Sequence, residues 1–346
     1  MSSIEDEVLI PGLPNDIAKL CLAHVPRLEF PVMSRVSKPW KSLLQSKEFH
    51  IIRRDAGTLE EWLYALIVNP WSQAIQWHVL SLDCSHWECL PPMPGPAKSG
   101  FGFVVIDGKL LVIGGSRESI DGLEPVADVL KYDSALNSWS KVRSMYSARY
   151  DFACTVLGGC VYVVGGRGEQ GKNLSSVEVY DPQKDEWNQT VSLNRARWGG
   201  IAFGIEGKVY VMGGRSSFTI GSSRYISMYD PSVKEWGDVK SVSVMILSHV
   251  LFDKKVYCIE WKNDRKLAVY DPSSNNWKSV PIPLTGSLSL GFCLGILNGK
   301  VLLFPNRTGS GCRTLVYDPK MSKGLDWQTS AICPTGRCIG CATISA

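Results

Sequence analysis

A glycine pair, a tyrosine–aspartate step and a tryptophan return along this chain at an interval of about 48 residues, a period that belongs to repeat architectures. Glycine pairs occupy 114–115, 165–166 and 213–214, and the Tyr-Asp steps begin at Tyr132, Tyr180, Tyr229, Tyr270 and Tyr317. Tryptophans follow at Trp139, Trp187, Trp236, Trp277 and Trp327. The first four stand six residues after the aspartate, and the last stands nine after Asp318. The interval shortens to 41 between Tyr229 and Tyr270. A weaker unit at the front carries Asp83 and Trp87 after the apolar run "LYALIV". Self-similarity of this kind leaves solenoids and propellers as the available folds.

Each unit offers four β segments. In the third they are "DFACTVL", "CVYVVGG", "SSVEVYD" and "DEWNQT", and Gly158-Gly159 is a two-residue hairpin turn between the first two. Long helical periodicity is missing after residue 55, so the units have no crossover helices and read as propeller blades. The glycine pairs end the second strand where backbones crowd near the hub and a side chain would clash. Tyrosine and tryptophan, on the third and fourth strands, fill the wedge between blades. The Asp-Pro steps at 181, 230, 271 and 318 are turn chemistry between those strands. "CIEWKND" (258–264) and "LLFPNRT" (302–308) replace Gly-Gly in the fifth and sixth units. Six blades is the count the pattern favours, with five as the alternative. The tail "RCIGCATISA" (337–346) is a lone strand, and the first unit lacks an innermost strand. The tail is expected to supply it and close the ring, removing two open edges.

Together, the Gly-Gly, Tyr-Asp and Trp positions over about residues 60–346 resemble the kelch repeat.

The first 55 residues are of another kind. Asn15 or Asp16 can cap a helix carrying Ile17, Leu20 and Cys21, with Leu13 just before it. Met33, Val36, Trp40, Leu43 and Leu44 recur at helical spacing, and Pro39 breaks that run at the first turn of a new helix. Three short helices over residues 10–55 are expected, after a disordered stretch at 1–9 and before a propeller at 56–346. So small a helical unit leans on a partner for stability. With "LPNDIAKLCLAHVP" followed by "VSKPWKSLL", the segment resembles the F-box. That resemblance implies docking onto the small adaptor of cullin-based ubiquitin ligases. It implies adaptor contacts through Leu13, Pro14, Ile17, Leu20, Val36 and Trp40, with internal helix packing as the competing role for each. The whole chain resembles plant F-box/kelch-repeat proteins.

Catalysis finds little support. Five histidines, at 24, 50, 78, 86 and 249, are dispersed, with no Ser-His-Asp or Cys-His arrangement and no ring of ligands for a kelch-type copper oxidase. The Glu-x3-Asp-x3-His iron motif of kelch proteins that redirect glucosinolate breakdown does not occur. Cys333, Cys338 and Cys341 form a C-x4-C-x2-C run, but the chain ends five residues later and a regular strand would turn Cys338 and Cys341 to opposite faces. Neither a metal nor a cofactor is therefore expected, and no residue is assigned a catalytic role. Eleven scattered cysteines suit reduced thiols in the cytosol or nucleus. The acidic N-terminus does not resemble a signal peptide, and no apolar run is long enough to span a membrane. A net charge of +4, from 37 basic and 33 acidic residues, is too mild to imply nucleic acid.

The informative charges are arginines. In an antiparallel blade the end of the second strand and the start of the first lie at the same propeller face. Arg117, Arg167 and Arg215 follow the glycine pairs, and Arg149, Arg195 and Arg197 precede inner strands. Six arginines of blades two to four are thus expected to converge on one mouth, suited to carboxylates of an acidic target segment. Solvation or pairing with Glu118 or Glu169 is the alternative. The combined reading is a mainly β chain, a six-bladed kelch-type β-propeller behind a small F-box domain. It implies a non-catalytic substrate receptor that bridges adaptor and cullin to a target protein, a metabolic enzyme among the candidates. The competing reading is a ligase-independent kelch scaffold, with a kelch-type enzyme third.

Overall fold

The computed structural model describes residues 8–80, 86–120, 122–216, 219–222, 225–240, 246–260, 263–283, 291–306, 313–322, 326–330 and 332–345. Six antiparallel sheets follow the repeat. Blade 3 is typical: Ala153–Leu157, Cys160–Val164, Val177–Asp181 and Glu186–Thr190 pair in chain order from hub to rim. Gly158 and Gly159 take φ of 59° and 76° between the paired Leu157 and Cys160, the two positive angles that a tight hairpin turn requires. The six inner strands surround a central cavity of about 640 Å³, lined among others by Phe103, Cys154, Ala202, His249, Leu294 and Cys341.

The repeat signature acts between strands and between blades. Tyr180 faces Trp187 across the third and fourth strands, with ring centroids 5.0 Å apart. The Tyr180 hydroxyl donates to Asp185 at 2.7 Å, and the Trp187 indole N–H reaches back to the carbonyl of Arg143, before blade 3 begins, at 2.8 Å. Trp139 and Trp236 donate in the same way to Pro91 and Val191. The glycine pair crowds strand entrances and not the hub axis. A Cβ on Gly165 would meet the Arg197 carbonyl oxygen, and one on Gly166 would lie 2.8 Å from that of Tyr150. Both residues also have positive φ.

The tail strand Arg337–Ser345 is the innermost strand of blade 1, ahead of Glu61–Val68, Ile75–Leu80 and Trp87–Cys89. It runs antiparallel to the strand at 61–68, from Glu61 opposite Ser345 to Val68 opposite Arg337. Asp83 of the front unit lies outside the described residues.

The head differs from expectation in three ways. It has four α-helices, α1 (Asn15–Ala23), α2 (Phe30–Val36), α3 (Lys38–Gln45) and α4 (Lys47–Asp55), not three. The additional one forms because the Ser46 side chain accepts from Phe49 N–H as a cap, and Phe49 packs edge-on against Phe30. Ser37 caps α3 in the same way, with Pro39 in its first turn as expected. Neither Asn15 nor Asp16 caps α1. Pro14 holds the cap position, and the Asn15 carboxamide accepts instead from Leu9 N–H. Leu9, placed by expectation in a disordered stretch, is buried in the head core, and its carbonyl accepts from the Trp40 indole. Residues 1–7 of that stretch lie outside the described residues.

Arg27 bolts head to propeller. Only 2% exposed, it donates to the Tyr64 hydroxyl at 2.8 Å and to the Ile344 carbonyl at 3.4 Å, and it lies 5.0 Å over the Trp62 ring. Burial lowers its pKa from the ordinary arginine value, with Tyr64 opposing.

Candidate functional site

Two surfaces carry the residues singled out in the sequence. On the head, α1 hides Ala18, Leu22 and Ala23 and exposes Ile17 and Leu20, a stripe that Leu13, just before the helix, extends. An apolar stripe turned away from its own core is unusual for so small a unit and marks a contact surface. Pro14 and Cys21 are exposed beside it. On α2, Phe30 and Met33 are buried while Val32 and Val36 stay exposed one turn apart, with Leu28 exposed just before them. Leu28 and Val32 were not anticipated. Their signal was available in the i, i+4 spacing of Val32 and Val36 with Leu28 one further turn back. Trp40 is half-buried, packs on the head core and spends its N–H on Leu9, the internal role that competed with adaptor contact.

At the propeller mouth the six arginines divide. Arg149 and Arg197 are not available to a target. Arg149 is fully buried, donates to the Gly165 and Ser176 carbonyls at 2.8 and 3.0 Å, and pairs with Glu178 at 2.6 Å. Arg197 is buried and donates to the Val211 carbonyl at 2.9 Å and the Ser227 hydroxyl at 3.2 Å. Desolvation lowers the pKa of both, against Glu178 and Asp238 respectively. These two side chains fasten blades. The Arg149 carbonyl accepts from Gly115 N–H of blade 2 while its guanidinium holds blade 3, and the Arg197 carbonyl accepts from Gly166 N–H while its guanidinium holds blade 4. Lys98, at the corresponding position before blade 2, pairs with Asp128 at 3.3 Å.

Arg167 and Arg215 meet at one aromatic ring, and Arg195 lies at another. Arg167 lies 3.5 Å over Trp198 and Arg215 5.5 Å from the same ring, while Arg195 sits 5.9 Å from Tyr225. Arg195 and Arg215 are exposed, and Arg167 is half-buried with an Nε that has no hydrogen-bond partner among the described residues. Asp151 lies within electrostatic reach: burial raises its pKa, and Arg167 opposes that rise. Arg117 stands on the hairpin formed by Ser116–Ser119 and Gly122–Pro125, where it faces Glu124 at 4.0 Å. Its local partner is therefore Glu124, not Glu118. Trp198 was missed in the sequence because its position, next to Arg197, matches a strand-entry residue. Its stacking partner Arg167 is a blade away.

Among the described residues, His249 borders the hub cavity. Burial pushes His249 down to about 4, against a hydrogen bond to the Ala202 backbone. Among the described residues, no helix is long and apolar enough to cross a membrane.

Comparison with known proteins matches both parts. Residues 10–52 match the F-box domain and residues 100–305 match the KLHDC2/KLHL20/DRC7 Kelch-repeats domain. F-box/kelch-repeat protein At1g67480 of Arabidopsis thaliana is 49% identical over 341 residues, covering 99% of this chain and 91% of that protein. Putative F-box/kelch-repeat protein At1g27420, from the same plant, is 36% identical over 331 residues and covers 92% of each. Among solved structures, that described as "Structure of YjhT" aligns with a TM-score of 0.56 at 15% identity, covering 74% of this chain and 91% of its own, a likeness of fold. The chain therefore belongs to the F-box/kelch-repeat family.

Proposed function

We propose that this chain is a substrate receptor of a cullin-type ubiquitin ligase, working in the cytoplasm, the nucleus or both. The head docks on the small adaptor and, through it, on cullin. The propeller holds a target protein. The chain makes no bond itself. It raises the effective concentration of target lysines near a charged ubiquitin-conjugating enzyme, which is catalysis by proximity. The observation that carries this reading is the exposed apolar surface on α1 and α2, in a head bolted to blade 1 by buried Arg27. A rigid joint of this kind sets the distance between adaptor and target.

The adaptor arm is tested with Ile17→Asp combined with Val36→Asp. Both side chains are exposed, so the fold tolerates the change. Burying each apolar side chain at an interface is worth about 1.5–3 kcal/mol, so affinity for the purified adaptor should fall at least about a hundredfold. Capture of the adaptor undiminished, at an unchanged melting temperature, would mean that the surface serves something else. A ligase-independent scaffold would show that outcome.

The target arm rests on Arg167, Arg195 and Arg215 around Trp198 and Tyr225, a positive and aromatic surface suited to an acidic segment. A charged hydrogen bond is worth about 1.5–3 kcal/mol. Arg167→Ala with Arg215→Ala should therefore weaken target capture at least about tenfold while adaptor binding persists, and capture by the parent should weaken with added salt. If the parent and the double variant retain the same partners from plant cells, recognition lies on another face.

A further inference from the structure

Three thiols converge where the ring closes. Cys293 stands on the inner strand of blade 6, Phe292–Leu297, and Cys338 and Cys341 stand on the tail strand of blade 1. Their sulfur atoms all lie within 4.8 Å of one another. Cys338 Sγ is 3.4 Å from Cys341 Sγ, and Cys293 Sγ is 3.9 Å from Cys341 Sγ. The expectation that Cys338 and Cys341 face opposite sides fails because the strand is not regular. Leu66 is opposite Gly340 and Ile67 is opposite Cys338, which leaves Ile339 as an extra residue. This bulge turns Cys338 to the side of Cys341 and leaves Ile339 exposed, bordering the central cavity. The third sulfur comes from Cys293, 45 residues back, and not from the exposed Cys333 of the sequence run.

Cysteine also serves as a small apolar residue, and these three border the wedge of Leu63, Ile67 and Phe304. Wedge filling alone does not require the sulfurs to meet. Around one ion with metal–sulfur bonds of about 2.3 Å, sulfurs lie roughly 3.8–4.0 Å apart in tetrahedral or trigonal arrangement. The 3.4 and 3.9 Å separations need only a small adjustment to match. Cys341 borders the central cavity together with Ser248 and Leu294, so an ion has a path in. Thiolates select soft ions. Among the described residues no histidine or carboxylate joins the group, so the donor set is three sulfurs, with any fourth ligand drawn from the cavity.

We propose that Cys293, Cys338 and Cys341 bind one thiophilic d10 metal ion, of the Cu(I) or Zn(II) class, as a clasp fastening the tail strand to blade 6. Each coordinating thiol releases its proton to solvent, and no electron is transferred. Three-sulfur coordination suits Cu(I) directly, whereas Zn(II) adds a water from the cavity.

The test uses the full chain, reduced, stripped with chelator and kept anaerobic. Separate titrations with Cu(I) and Zn(II), each against a competing chromophoric chelator, should give one tightly bound equivalent of at least one ion. An ultraviolet thiolate-to-metal band and an unfolding temperature raised by several degrees should accompany it. Loss of an outer-shell partner already costs about 10–100-fold in metal affinity, so Cys293→Ser and, independently, Cys341→Ser should each cost at least about a hundredfold. Cys333→Ser should change nothing. The proposal is overturned if the folded parent binds neither ion stoichiometrically. It is equally overturned if binding survives both serine variants or is lost with Cys333→Ser. The parent titration decides even if one serine variant does not fold.

Discussion

Removal of residues 337–346 should yield a protein that no longer unfolds cooperatively and is recovered largely as aggregate. The tail is the inner strand of blade 1 and abuts blades 2 and 6: a Cβ on Gly340 would lie 2.7 Å from the Phe103 ring, and one on Gly295 would lie 3.3 Å from Cys341 Cβ. Cys338 and Ile344 are almost wholly buried, and the Ile344 carbonyl accepts from Arg27. Each apolar side chain removed or uncovered costs about 1.5–3 kcal/mol, so a few of them together reach the 5–15 kcal/mol that a whole domain typically has. The strand at 61–68 would also be left as an open edge. A graded form is Ile344→Ala, which should cost about 2–5 kcal/mol while keeping the ladder. Circular dichroism melts and size exclusion check both, and a truncated chain with the parent's melting curve would place closure elsewhere.

Glu178→Ala should destabilise the propeller by about 3–5 kcal/mol, because it strands a buried guanidinium. Glu178 and Arg149 are each 0% exposed and paired at 2.6 Å. The same carboxylate also accepts from the backbone N–H groups of Tyr146 and Ser147, at 2.7 and 3.1 Å, so its loss orphans the approach to blade 3 as well. Replacing Arg149 and Glu178 together by methionine should recover part of the loss, since no unpaired charge then remains. Denaturant unfolding measures both. A change within about 0.5 kcal/mol for Glu178→Ala would mean that water reaches the pair and that Arg149 is not a fastener.

These two outcomes separate structure from recognition at the mouth. Arg149 variants would also lose target, but through the fold. Arg167 and Arg215 variants should lose it with the fold intact. Capture experiments that pool all six arginines would confuse the two.

The repeat determined the blades by itself. A strand, a two-glycine turn and a Trp six residues past an aspartate are local instructions, because alternation and turn geometry act over a few residues. The closing role of the tail was legible for a related reason: one unit lacked a strand and one strand lacked a unit. The free stripe Leu13, Ile17 and Leu20 was legible through the resemblance of the head, though periodicity alone would have assigned it to the core. Other features were decided only in three dimensions. Arg149, Arg167, Arg195 and Arg197 flank strands in much the same way in sequence. Carbonyls and a carboxylate up to about thirty residues away bury the first and last, while Trp198 stacks Arg167 at the surface. A bulge at Ile339 reversed the side on which Cys338 points, and the neighbouring blade supplied Cys293. Burial and convergence depend on which segments lie side by side: neighbouring blades decide the arginines, and only the closing of the ring brings Cys293 to the tail strand.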